Sequence, residues 1–217
     1  FITLRQMVNV DYYIFKFVRA NMLIEWLTKN FPLKKPVFII RHPCAVVSSI
    51  LNLSWDSNCK LSPEFYNHYP FFNEIINHAK TEEEKFAVLW CQENYVALNQ
   101  SKPYSFILIS YEKLISEPIN ELKKIFNEWE IEFPPEILSN FSIPSKTFNM
   151  NRDNHYIKNN KIDSLKLLGR WKSDLSTKQI DRILKIVNMC GMDFYTDNLE
   201  PDYNRLYSDK PIYLPKN

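Results

Sequence analysis

Arg41, Pro43 and Ser49 are the residues of this 217-residue chain whose types and spacing can do chemistry together. Arg41 directly follows Val37-Phe38-Ile39-Ile40, an uninterrupted apolar run that reads as a strand buried on both faces, as in a parallel sheet. Pro43 suits the first turn of a helix, where its fixed φ is already helical and its missing N–H is not needed. Ala45, Val46, Val47, Ile50 and Leu51 then carry an apolar helical face. The stretch therefore predicts strand, arginine, turn, helix. In open α/β sheets ligands bind outside the carboxyl ends of the strands, and a helix start there favours anions. Arg41 adds a permanent cation with a bidentate fork matched to phosphate or sulfate. Ser49 lies six residues past Pro43, roughly 9 Å along a helix. An arginine and a hydroxyl so placed can grip two sides of one anion, with Ser48 as the alternative hydroxyl one residue away. The same spacing also fits a surface arginine and two ordinary helix serines.

Other candidate residues follow from their place in the pattern. Tyr111 comes directly after the apolar run of Ser105–Ser110, and an aromatic ring at the carboxyl end of a strand can stack on a base. It can equally pack under the next helix. From Lys158 to Lys172 the basic residues Lys158, Lys161, Lys166, Arg170 and Lys172 face one acid, Asp163. The run fits a cationic flap over phosphates, or a solvated face. Lys16 falls at the end of residues 8–17, a mixture of β-branched and aromatic residues that suggests a strand. His68 lies in an aromatic-rich stretch and is either a base or polar surface.

The elements that must position these residues are legible from periodicity and caps. Residues 20–30 predict a helix with Met22, Leu23, Trp26 and Leu27 on one face, which makes a strand–helix–strand unit with the Arg41 strand. Residues 54–80 read as irregular at first, a loop able to cover an acceptor pocket. Thr81 and Glu84 form a capping box at the head of a helix running to Leu98. Residues 119–130 form an amphipathic helix, and residues 144–161 read as a polar surface loop or lid. Ser176 with Gln179 caps a last helix through Met189, and Gly191 ends it. The tail from residue 196, with Pro201, Pro211 and Pro215, reads as extended chain.

Composition bounds the function. The chain is 45% hydrophobic and 24% charged, which reads as one soluble globular domain. Its net charge of +2 is too balanced to make nucleic acid or an anionic membrane the main partner. Gly169 and Gly191 are the only 2 glycines, which rules out a Gly-rich phosphate loop within these residues. No run approaches the ~18 apolar residues of a membrane span. Cys44, Cys59, Cys91 and Cys190 form no C-x-x-C pair and read as reduced, mostly buried thiols of a cytoplasmic protein. No metal site is expected.

R-x-P followed by a serine eight residues after the arginine resembles the 3′-phosphate motif of sulfotransferases that use PAPS, 3′-phosphoadenylyl sulfate. The resemblance implies that Arg41 and Ser49 hold the 3′-phosphate of the donor. Tyr111-Glu112-x-Leu-x-x-x-Pro118 is similar to a second family segment, in which the tyrosine contacts the nucleotide near adenine. Leu168-Gly169-Arg170-Trp171-Lys172 resembles the family's carboxyl-terminal G-x-W-K element, with Lys166 and Arg170 nearest to its phosphate-binding basic residues. Lys16 falls close to the family lysine that stabilises the leaving phosphate. The histidine that serves the cytosolic branch as base, two residues after that lysine, is Val18 here.

The resemblance therefore implies an α/β fold, the three-layer parallel-sheet, P-loop NTPase-like sulfotransferase architecture, over residues 1–195. The family's 5′-phosphosulfate loop is missing, and the chain opens on Phe1, so the fold is expected to be truncated at its amino end and the polypeptide alone weakly active or inactive. The implied reaction moves a sulfuryl group from PAPS to a hydroxyl or amine of a small molecule or carbohydrate. A nucleotide-binding module without catalysis and a P-loop kinase-like phosphotransferase are the alternatives.

Overall fold

Two segments rich in β-branched residues, Val37–Ile40 (β1) and Ile107–Ser110 (β2), pair in parallel. Their register runs from Val37 opposite Ile107 to Ile40 opposite Ser110. A computed structural model of the chain describes residues 13–53, 62–142, 157–158 and 161–209. In chain order a 3-10 turn at Asn21–Leu23 leads into α1 (Ile24–Asn30), β1, α2 (Pro43–Asn52), α3 (Pro63–His68), α4 (Phe71–His78) and α5 (Glu82–Leu98). After β2 come α6 (Tyr111–Ser116), α7 (Pro118–Glu128) and a 3-10 stretch at Pro135–Ser142. A short antiparallel pair, β3 (Ile157–Lys158) with β4 (Lys161–Ile162), precedes α8 (Ser164–Leu168), α9 (Trp171–Asp174), α10 (Thr177–Met189) and α11 (Tyr203–Leu206).

Alternation along the strands divides the core. Phe38, Ile40 and Leu108 join the main cluster with Val47 of α2, Trp90 and Tyr95 of α5, and Ile183 and Val187 of α10. Ile107 and Ile109 point the other way and pack with Ile125 of α7, flanked by Val37, Leu122 and Trp129. Helices thus lie on both faces of a small parallel sheet, an arrangement compatible with the α/β class. β2 is buried along its length. The expectation that β1 is buried on both faces needs correction at one position: Ile39 is 48% exposed.

α5 is the axis of the helical layer and packs against both α2 and α10. It starts where the sequence places it, with Glu84 Oε2 accepting from the Thr81 N–H at 2.9 Å. The Ser176–Gln179 box at the head of α10 is also present, and Gly191 takes φ 73° beyond its end, in the left-handed region that glycine tolerates.

Four expectations change. Tyr13–Phe17 forms no strand, and residues 8–12 of that expectation lie outside the described residues. The 20–30 helix turns a different face inward: Ile24 is buried, while Leu23 and Trp26 are more than half exposed. Residues 63–68 and 71–78 are helical because Pro63 starts one helix and Phe72 and Ile75 anchor the next in the core. The segment after residue 195 does not simply extend, since α11 buries Leu206 and Tyr207 reaches β2. The lid read over 144–161 lies largely outside the described residues, although part of it forms β3.

Candidate functional site

The carboxyl ends of β1 and β2 deliver Arg41 and Tyr111 side by side. The parallel register that sets Ile40 beside Ser110 brings the next residue of each strand to the same edge. There the Arg41 guanidinium lies over the Tyr111 ring, 4.5 Å from its centroid. Both side chains are half-buried. Arg41 Nε is buried with no hydrogen-bond partner among the described residues. A buried, unpaired guanidinium N–H carries a desolvation cost that an anion can relieve.

The backbone around Arg41 is held from several sides. Trp90 Nε1 donates to the Arg41 carbonyl at 3.1 Å. The next N–H, that of His42, donates to Glu112 Oε1 at 2.8 Å. The other oxygen of Glu112 accepts from Ser110 Oγ at 2.7 Å and from the Tyr195 hydroxyl at 3.1 Å. Glu112 is 2% exposed, so this carboxylate is a buried acceptor shared by both strand ends and the chain beyond α10. Burial, and then the negative charge of Glu112, push the Tyr195 hydroxyl well above the ordinary tyrosine pKa, which keeps it a donor.

His42 locks the turn between β1 and α2. Its ring stacks on Trp171 at 4.4 Å and meets Tyr195 edge-on at 4.9 Å. Nδ1 accepts from the Cys44 N–H at 3.1 Å, so the proton sits on Nε2, which donates to the Thr196 carbonyl at 2.9 Å. Burial lowers its pKa from 6.5 to about 4, against the opposing pull of backbone hydrogen bonds from Thr196 and Asn198. The ring is therefore neutral at ordinary pH.

This cap corrects one reading. The start of α2 was expected to favour anions through free N–H groups. Pro43 has none, the Cys44 N–H is taken by His42 Nδ1, and those of Ala45 and Val46 bond the His42 carbonyl. Arg41 supplies the donors at this strand end instead.

Ser48 and Ser49 separate by environment. Ser48 is 3% exposed and donates to Asp174 Oδ2 at 3.0 Å. Ser49, on the adjacent flank of α2, is half-buried. Asp174 Oδ2 also accepts from Asn52 Nδ2 at 3.4 Å and pairs with Arg170 Nε at 3.4 Å. Arg170 is thereby drawn to the α2 flank that carries Ser48. Lys166 is exposed and pairs with Asp163 at 3.3 Å, on a helix that packs against α6. Lys16 stands on exposed, irregular backbone.

The structure thus brings Arg41 to Tyr111, and Arg170 to Ser48, and leaves Lys16 and Lys166 at the surface. Sequence reasoning missed Glu112, His42 and Asp174 as the groups that hold the site. The Arg170–Asp174 spacing of four residues was a usable signal. Glu112 stands in a quoted motif, but its role was hidden because His42 and Tyr195, which join nearby Ser110 on its carboxylate, come from distant positions. A cleft of about 250 Å³ lined by Lys35, Lys102, Tyr104, Phe106, Lys124 and Tyr207 borders the start of β2 at Ile107 and Leu108 and includes none of the predicted site residues.

Among the described residues no group of His, Cys, Asp and Glu is arranged to hold a metal ion, and no helix is long and apolar enough to cross a membrane. No protein-family model matches the chain, and no solved structure matches it. The chain is similar to a Caenorhabditis briggsae protein described as "Putative protein-tyrosine sulfotransferase", at 23% identity over 150 residues. That match covers 66% of this chain and 52% of the relative, so the chain spans about half the relative's length.

Proposed function

We propose that the chain binds adenosine 3′-phosphate groups at the Arg41–Tyr111 edge and belongs to a sulfotransferase that uses PAPS as donor. The observation that carries this reading is the Arg41 guanidinium, stacked on Tyr111 with a buried Nε still seeking an acceptor. An arginine so oriented suits the bidentate geometry of a phosphate. Ser49 supplies a hydroxyl from α2, and Arg170 a second cation from beside Ser48. Tyr111 has one ring face on the arginine, which leaves the other to receive the adenine. In this reading the three-layer, P-loop-like sulfotransferase architecture extends around the small parallel sheet.

The reaction is an in-line displacement. The acceptor oxygen or nitrogen forms a bond to sulfur as the bond from sulfur to the donor's phosphate oxygen breaks, and adenosine 3′,5′-bisphosphate leaves. Catalysis of this kind rests on positioning and on cations that neutralise the leaving phosphate, and a base takes the acceptor's proton. Lys16 is the proposed cation for the leaving phosphate. The acceptor is a hydroxyl or amine, and the name of the C. briggsae relative makes a tyrosyl hydroxyl the first to try.

A second reading, a nucleotide-binding module without transfer, is favoured by the exposed, irregular setting of Lys16. Titration calorimetry with adenosine 3′,5′-bisphosphate tests the binding claim common to both. The intact protein should bind it, and Arg41→Ala should bind roughly 10- to 100-fold more weakly, as expected for a lost charge-assisted hydrogen bond. No binding, or equal binding by Arg41→Ala, refutes the site. Displacement by ATP points instead to a phosphotransferase. Sulfuryl transfer to a tyrosine peptide, followed by mass, separates enzyme from module.

A further inference from the structure

We propose that Cys91 and Cys190 form a disulfide that staples α5 to α10 when the chain folds in an oxidising thiol buffer. The two helices pack along each other, and Arg182 on α10 pairs with Glu83 on α5 at 2.7 Å. Cys91 lies in the middle of α5, and Cys190 is the carboxyl cap of α10, directly before the reversal at Gly191. Both thiols are wholly buried in the main core cluster and lie within hydrogen-bonding reach of each other. Neither belongs to the Arg41 site. From that reach the two sulfurs have to close to the roughly 2.05 Å of a disulfide as the helices pack.

The chemistry needs a small-molecule disulfide such as oxidised glutathione. The thiolate of Cys91 or Cys190 attacks one sulfur of that disulfide, a mixed disulfide forms, and one glutathione thiol leaves. The second cysteine thiolate then attacks the protein sulfur of the mixed disulfide and expels the second glutathione thiol. The protein loses two hydrogens and two electrons, and the glutathione disulfide gains both. Burial raises the Cys91 thiol well above its ordinary pKa, so attack is slow once α10 has docked. The bond therefore forms while the helices are still open, and afterwards the same burial shields it from reductants. It closes a loop of roughly 100 residues, long enough for a staple to restrict the unfolded chain strongly.

The test is refolding of the full chain from a reduced, denatured state in oxidised and in reduced glutathione buffers. Remaining thiols are trapped by alkylation under denaturing conditions, and non-reducing peptide maps are read by mass. In the oxidised buffer the Cys91 and Cys190 peptides should be joined and the protein lighter by two hydrogens. Its thermal midpoint should stand roughly 4–16 °C above that of the reduced form. The link should resist dithiothreitol in the folded protein and yield to it in denaturant. Cys44→Ala should keep the link and Cys190→Ala should lose it. Full alkylation of both thiols after oxidative refolding, or a link through Cys44 or Cys59 instead, overturns the proposal. If refolding fails, the folded protein held in oxidised glutathione just below its unfolding midpoint decides in the same way.

Discussion

Acidification from pH 6.5 to pH 4 should destabilise this protein through one side chain, His42. In the unfolded chain its imidazole takes up a proton near 6.5, while in the fold burial holds it neutral down to about 4. Between those values the unfolded state binds more protons, so stability rises with pH across the window and is lost as pH falls through it. Each unit of separation corresponds to about 1.36 kcal/mol, so the loss reaches about 2 kcal/mol by pH 5 and about 3 kcal/mol near pH 4. The structural cause is specific. Protonation would put a hydrogen on Nδ1, which already accepts from the Cys44 N–H, and a charge between the rings of Trp171 and Tyr195. The assay is urea unfolding at a series of pH values, for the wild type and for His42→Phe. The variant keeps a ring to stack on Trp171 but cannot titrate. Carboxylates contribute to both proteins below about pH 5, so the difference between the two curves isolates His42. A difference that grows by about 2 kcal/mol between pH 7 and pH 5 agrees with the geometry. Parallel curves would show that His42 is solvated or protonated in the fold, and the account of the β1–α2 turn would fail.

The remaining predictions concern the neighbours of that turn. Tyr111→Ala should weaken nucleotide binding roughly 3- to 30-fold, the range expected for a partly desolvated cation–π contact, while Tyr111→Phe should bind as the wild type does. Equal losses for the two would assign the effect to the hydroxyl instead of the ring. Glu112→Gln leaves one carbonyl oxygen but turns an amide N–H₂ toward donors, and should lower stability in urea by roughly 1–3 kcal/mol. A change below about 0.5 kcal/mol would mean that Glu112 is not the shared acceptor described above.

What could be read from the sequence was what local rules determine. The Thr81–Glu84 and Ser176–Gln179 boxes, the stop at Gly191 and the two apolar strand runs each involve residues within a few positions of one another. α3 and α4 were misjudged because their helical character comes from Phe72 and Ile75 docking into the core, amid aromatic residues that have no clear period. The 20–30 helix was recognised, but which of its faces turns inward depends on neighbours no window contains. The site divides in the same way. Arg41 and Tyr111 could be found because strand ends are predictable places. Glu112, His42 and Asp174 take their roles from partners far along the chain, such as Tyr195 for Glu112 and Ser48 for Asp174.

Those long separations set an order of events in biosynthesis. His42 and the Thr196 carbonyl that holds it are 154 residues apart, and Glu112 and Tyr195 are 83 apart. At a ribosomal pace of roughly 5–20 residues per second, His42 waits about 8–30 s for its partner to be made. Through that interval the nascent chain carries Arg41 on a turn without its carboxyl-terminal clamp, and any anion in the cell meets only a loose arginine. The site becomes rigid when the stretch from Tyr195 to Tyr207 clears the exit tunnel and docks, so a ribosome halted shortly before that stretch would display both strands with an unformed site.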